Sequence, residues 1–214
     1  MSISKGHFIV FEGIDGSGKT TQINLLKKHI EANNFICHET KEPTDGAVGS
    51  LLRQCLAGKV QMDETALAAL FAADRLDHIL NDKDGLIKKL EKGISVISDR
   101  YILSTYAYQS VKVPLKWVMD LNSMAAGKLR PDCHIFIDID PDIALNRIAK
   151  GRESTELFEN KKRLTEVKNR YFDLFKQFKD IENIIIVDGM QSIEKVSDYI
   201  WKKVSGYFTT GGET

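Results

Sequence analysis

The 214 residues carry 30 lysines and arginines against 30 aspartates and glutamates, so no global field draws the chain onto nucleic acid or an anionic membrane, and any positive field must be local. The length suits one domain with small insertions, and no apolar run is long enough to cross a bilayer. Cys37, Cys55 and Cys133 lack metal-ligand spacing and read as reduced thiols, and the N-terminus lacks the long apolar stretch of a signal peptide, so a cytoplasmic protein is expected.

In chain order, His7 to Phe11 forms a first apolar strand that ends in a glycine-rich turn. From Thr20 to Glu31, Ile23, Leu25, Leu26 and Ile30 then fall at helical spacing. Ile36 to Thr40 fits a second strand, and Val48–Leu56 and Leu67–Leu80 both have helical period. Leu86–Leu90 ends another helix, closed by Gly93. Ile94–Ser98, His134–Ile139 and Asn183–Val187 complete a set of short β-branched or apolar runs, separated by helical stretches. Strands that alternate with helices predict an α/β fold, a five-stranded parallel sheet with helices on both faces, in one domain over residues 1–208. Ala149 to Arg170 is dominated by charge, with Glu159 and Arg163, and Glu166 and Arg170, at helix-supporting spacing; composition alone favours a solvated helix face. The tail, residues 209–214, is expected to be disordered.

Gly13-Ile14-Asp15-Gly16-Ser17-Gly18-Lys19-Thr20 matches G-x-x-x-x-G-K-[ST], with a strand entering and a helix leaving. Phosphate chemistry needs that arrangement: backbone N–H groups wrap the phosphates, and the helix N-terminus adds partial positive charge. Lys19 would bridge the β- and γ-phosphates and the Thr20 hydroxyl would ligate Mg2+, while Thr21 supports the α-phosphate or simply packs. Such a loop implies a bound nucleoside triphosphate and does not separate kinases from switches, motors or transporters. The run Ile94–Ser98 ends at Asp99-Arg100-Tyr101, where Asp99 could hold magnesium or its water and Arg100 could grip a phosphate. A structural ion pair at a strand end is an equal alternative.

Five blocks together resemble the thymidylate kinase family: Phe11-Glu-Gly-Ile-Asp-Gly-Ser-Gly-Lys-Thr-Thr21, Lys41-Glu-Pro43, Phe71-Ala-Ala-Asp-Arg75, Asp99-Arg-Tyr-Ile-Leu-Ser-Thr-Tyr-Ala-Tyr-Gln109 and Arg130-Pro-Asp132. They lie in the family's order and at its spacings over nearly the whole chain, and the phenylalanine–arginine and aspartate–arginine–tyrosine blocks discriminate best. The resemblance implies a P-loop nucleoside monophosphate kinase fold with a short helical lid, at residues 147–162 or so. It also implies transfer of the γ-phosphate of ATP, with Mg2+, to thymidine monophosphate, and a homodimer.

It further implies roles for individual residues. Phe71 and Arg75 share a helix face, so the ring could stack on a pyrimidine while the arginine reaches its carbonyl; core packing is the plainer reading of Phe71. Thr105 and Gln109 would help recognise the base, Tyr108 would crowd the sugar against a 2′-hydroxyl, and Asp15 would face the acceptor sugar and phosphate. Arg53 and Arg100 would hold the acceptor phosphate. Family members carry a catalytic cation in the P-loop or in the lid; Gly16 and Ser17 are uncharged, so the lid must supply it. Arg147, Lys150 and Arg152 lie in the expected place, with Arg147 toward ATP and Arg152 the first choice for the transition state. Leu157 stands where many bacterial members have arginine. The catalytic set so implied is Asp15, Lys19, Arg100 and Arg152.

Competing readings are a kinase for another deoxynucleotide or a nucleoside, and a non-enzymatic nucleotide switch. The switch would need an Asn-Lys-x-Asp run, which the chain lacks, and leaves Arg75, Arg100 and Arg152 without work. A nucleic-acid-associated ATPase is disfavoured by the zero net charge.

Overall fold

The computed structural model describes residues 5–148 and 154–209, with backbone alone for 154–160. Five strands, β1 (Phe8–Glu12), β2 (Cys37–Lys41), β3 (Ser95–Asp99), β4 (Cys133–Asp138) and β5 (Ile184–Asp188), form one sheet in the order β2-β3-β1-β4-β5. Every pairing is parallel. The five expected strands are all present, and each begins and ends close to its apolar run. β1, β2, β3 and β5 each lie one residue further on than expected, ending on Glu12, Lys41, Asp99 and Asp188, whereas β4 begins and ends one residue earlier, at Cys133 and Asp138. Backbone pairing carries on past the apolar pattern, with Phe11 opposite Asp99 and Asp138 opposite Asp188. The carboxyl edge of the sheet is therefore acidic.

The central strands are apolar on both faces because helices cover both: Phe8, Ile9, Val10, Phe11, Ile135, Phe136 and Ile137 are all buried. Edge strand β2 reads Cys-His-Glu-Thr-Lys and stays half-exposed. The helices are α1 (Lys19–Ala32), α2 (Ala47–Leu56), α3 (Glu64–Leu80), α4 (Leu86–Glu91), α5 (Ile102–Gln109), α6 (Leu115–Lys128), α7 (Pro141–Ile148), α8 (Ser154–Phe178) and α9 (Ile193–Val204). Helix α1 packs with α9, while α3, α5, α6 and α8 pack together as a second group. The chain winds outward from β1 to β2, returns through β3, then crosses β1 to β4 and β5. That reversal opens a crevice beyond the carboxyl ends of the strands, where the glycine-rich loop lies.

From Ser154 onward the charged segment is helical, as its spacing indicated, and Lys161, Lys162, Arg163 and Asn169 face solvent. It is also an amphipathic strut. Leu164, Val167, Tyr171, Leu174 and Phe175 recur at helical spacing and are buried. The rings of Tyr171 and Phe175 both lie 4.9 Å from that of Phe136 on β4. Charge on the other faces hid this seam in a composition-based reading. Lys150, Arg152, the middle of the expected lid and residues 210–214 of the expected tail lie outside the described residues. Among the described residues, no helix is long and apolar enough to cross a membrane.

Helix α2 sits hard against the loop after β2. A methyl group on Gly49 would fall on the backbone N and O of Thr44, well inside contact distance, whereas one on Gly127 in α6 would meet nothing within 4 Å. Gly49→Ala should lower stability by about 1–3 kcal/mol. Gly127→Ala should raise it by about 0.5–1 kcal/mol through helix propensity. Denaturant unfolding of the two variants checks the contrast.

Candidate active site

The loop between β1 and α1 passes through left-handed backbone at Gly16 and Gly18, with φ of 78° and 95°. Any side chain at Gly16 would collide with the Ala144 carbonyl of α7. Lys19 folds back along the loop, its Nζ 3.3 Å from the Gly13 carbonyl oxygen and 3.9 Å from Asp99 Oδ1. Burial, aided by the nearby Arg100, brings Lys19 down to about 8, against the pull of Asp99, Asp15 and Glu12. Thr20 Oγ1 lies 3.5 Å from Asp99 Oδ2, so the loop and the end of β3 bring a hydroxyl and a carboxylate together. Asp99 Oδ1 is buried without a hydrogen-bond partner. A hard cation needs such oxygens, with phosphate and water completing its shell, so the pair fits Mg2+. Arg147, in the last turn of α7, lies 3.3 Å from both the Gly16 and Ser17 carbonyl oxygens, directly over the loop.

Arg100 sits one residue beyond β3 at φ 76°, a conformation that costs a non-glycine residue roughly 1–3 kcal/mol and survives only where its surroundings fix it. Its backbone N–H donates to the Phe11 carbonyl at 2.9 Å. Its Nη2 donates to Asp15 Oδ1 at 2.7 Å and to Tyr108 Oη at 3.2 Å, and its Nη1 donates to Ser104 Oγ at 3.0 Å. The guanidinium also lies 4.8 Å from the centre of the Tyr108 ring. Burial works against the charge of Asp15, yet Arg100 and Lys19 hold its carboxyl below the usual range.

Behind Arg100 lies a carboxylate that motif reading passed over. Glu12, fully buried, accepts from the N–H groups of Tyr101 (3.2 Å) and Ser104 (3.3 Å), from Tyr171 Oη (2.9 Å) and from the Ser104 hydroxyl. Burial pushes its pKa up, against the opposing effects of His134, the Ser104 hydrogen bond and Arg100.

At the other end of the site Arg75 is 1% exposed. Its Nε and Nη2 donate to Glu42 Oε2 at 2.9 and 2.6 Å, Nη2 also donates to Thr105 Oγ1 at 2.9 Å, and Nη1 donates to Asn122 Oδ1. Of the five N–H donors of a guanidinium, four are thus engaged and one, on Nη1, is left.

Between the two arginines runs a cleft of about 550 Å³. Its walls include Asp15, Phe71, Arg75, Arg100, Thr105, Tyr108 and Gln109, so seven expected residues from three separate segments meet in one space. Phe71 faces this cleft and is half-buried. Arg53 is placed differently, donating to the carbonyls of Pro43 and Thr44 and to Ser50 Oγ, outside the cleft wall. Arg163 and Leu164 of α8 also line the cleft, together with Ser104. A carboxylate closing an apolar strand, at Glu12, and the seam through Tyr171 were the available sequence signals for the residues missed.

Residues 11–200 match the family model described as Thymidylate kinase. The chain is 37% identical over 207 residues to the thymidylate kinase of Caldicellulosiruptor saccharolyticus, covering 93% of this chain and 99% of that protein. It is 39% identical over 195 residues to the probable thymidylate kinase of Methanocaldococcus jannaschii, covering 90% and 93%. With the probable thymidylate kinase of Methanobrevibacter smithii it shares 38% identity over 203 residues, covering 94% and 95%.

The raised pKa of Glu12 has a defined sign in stability. On raising the pH, an unfolded chain loses this proton first, so the folded state loses stability between the ordinary glutamate pKa of 4.5 and the raised one. Glu12→Gln escapes that loss. The melting temperature of Glu12→Gln relative to the parent should therefore move in the variant's favour from pH 5 to pH 8; movement the other way would show that Glu12 is stabilised as an anion.

Proposed function

The chain belongs to the thymidylate kinase family, and from that premise we propose that it transfers the terminal phosphate of ATP to thymidine monophosphate, giving ADP and thymidine diphosphate. The observation that carries this reading is the cleft itself: Arg100, Asp15 and Tyr108 at the P-loop end, Arg75 and Phe71 at the other. An anion with an attached pyrimidine fits that polarity. The backbone from Gly13 to Thr21, with Ile14 and Ser17, would cradle the ATP phosphates, and Arg147 would lie over them. Lys19 would meet the β- and γ-phosphates. Mg2+, held by Thr20 and Asp99, would supply charge neutralisation between the donor phosphates.

The acceptor phosphate oxygen is already an anion at neutral pH and needs no general base. It attacks the γ-phosphorus in line, that bond forms as the bond to the β,γ-bridging oxygen breaks, and ADP leaves with the electron pair. Catalysis is then alignment and neutralisation by Lys19, Arg100 and a lid cation. Arg152 is proposed for that last role, within a lid over residues 147–162 or so. Asp15 would orient the acceptor sugar and phosphate, and Arg53 would support the acceptor phosphate. Thr105 and Gln109 would contact the base, and Tyr108 would disfavour a ribose 2′-hydroxyl. A single 1–208 domain, a homodimer and a cytoplasmic setting complete the proposal.

The one unengaged Arg75 donor suits a carbonyl oxygen and opposes an amino group, because two donors would face each other. ADP formation from ATP and Mg2+ should thus be fast with thymidine monophosphate, slower with uridine monophosphate, and at least about a hundredfold slower with deoxycytidine monophosphate. ADP release indifferent to any acceptor would sink the kinase reading, and faster turnover with thymidine would overturn the substrate. Arg152→Ala should lower kcat on the order of a thousandfold with little change in thymidine monophosphate affinity; equal losses in both would exclude a transition-state role.

A further inference from the structure

Tyr171 is fully buried on α8, far in sequence from every motif of the site. A phenylalanine would pack equally well against Phe136 and Phe175, so packing does not account for its hydroxyl. That hydroxyl lies 2.7 Å from Ser104 Oγ, 2.9 Å from Glu12 Oε2 and 3.5 Å from Arg100 Nη1. Burying a phenol among such partners is tolerable only because they satisfy it.

The two ends of the Arg100 guanidinium are held differently. On the Nη2 side are the half-buried Tyr108 and Asp15, whose side chain is 59% exposed and so open to an arriving phosphate. On the Nη1 side are Ser104 and Tyr171, both buried and tied to Glu12. That side is the fixed anchor. Leu164, seven residues earlier on the same face of α8, forms part of the cleft wall. One rigid helix therefore touches both the cleft and the anchor.

We propose that Tyr171 is a positioning residue for phosphoryl transfer: its hydroxyl, joined to Glu12 and Ser104, fixes the orientation of Arg100 and links α8 to the acceptor-phosphate end of the cleft. This rests on the reading of that cleft as the acceptor site. Glu12 Oε2, Ser104 Oγ and Tyr171 Oη lie in mutual hydrogen-bonding reach, so the three side chains hold one another in place.

The test uses the full chain and steady-state ADP formation with thymidine monophosphate. Tyr171→Phe should lower kcat/KM for the acceptor at least tenfold, leave KM for ATP within twofold, and keep the melting temperature within a few degrees. Ser104→Ala, which removes the hydroxyl shared by Arg100 and Tyr171, should behave alike and carries the test if Tyr171→Phe folds poorly. In an Arg100→Lys background, which lacks the fork to be oriented, adding Tyr171→Phe should cost less than twofold. Parental kcat/KM in both single variants, or the same fold loss with and without Arg100, would overturn the proposal while the acceptor site stands. A parent chain that releases ADP regardless of acceptor would overturn the acceptor reading and this inference with it.

Discussion

A permanently charged guanidinium largely withdrawn from water must be surrounded by acceptors, and the enclosure of Arg100, whose side chain is 17% exposed, organises the functional end of this molecule. Asp15 reaches it from the glycine-rich loop, Ser104 and Tyr108 from α5, and Tyr171 from α8. The left-handed backbone at Arg100 turns the side chain out of the strand direction and into this ring of oxygens. Burial is resisted by the charge, and Tyr108, Tyr171, Asp15 and Asp99 offset it, carrying the pKa of Arg100 above the ordinary arginine value. Removing any one acceptor leaves a partly buried cation less satisfied, so the constraint couples β1, β3, α5 and α8.

Arg75 repeats the logic at the far end of the cleft. Glu42, Thr105 and Asn122 absorb all but one of its donors, and His78 in turn lies 3.0 Å from the other oxygen of Glu42. A cation pinned on so many sides is a poor general anion binder and a specific partner for one acceptor atom. The two arginines differ accordingly. Arg100 keeps part of its fork beside an exposed carboxylate, which suits a phosphate; Arg75 has a single unengaged hydrogen, which suits a carbonyl. A chain of zero net charge thus gathers two cations at one cleft by pairing each of them locally.

Much of this was legible in the residues. The buried central strands read as apolar runs, and the glycine-rich loop fell between a strand and a helix as its chemistry requires. The ends of β1, β3 and β5 did not, because Glu12, Asp99 and Asp188 interrupt the apolar pattern where backbone pairing continues. Phe71, Arg75, Thr105, Tyr108 and Gln109 were placed by resemblance, and they line one cleft. Glu12 and Tyr171 escaped because their meaning lies in a contact between residues 159 positions apart, which no local spacing encodes. Asn122 escaped for the same reason, 47 positions from the arginine it holds. Arg53 shows the reverse limit: its expected role came from resemblance, while its visible bonds fasten the loop at Pro43 and Thr44.

Direct calorimetric titration of thymidine monophosphate, without ATP, into the parent chain and into Arg100→Ala isolates the central claim that Arg100 anchors the acceptor phosphate. Loss of a charge-assisted hydrogen bond of roughly 1.5–3 kcal/mol corresponds to a rise in Kd of about ten- to a hundredfold, and that rise is the expected result. An unchanged Kd would contradict it, and would leave Arg100 as a structural ion at a strand end.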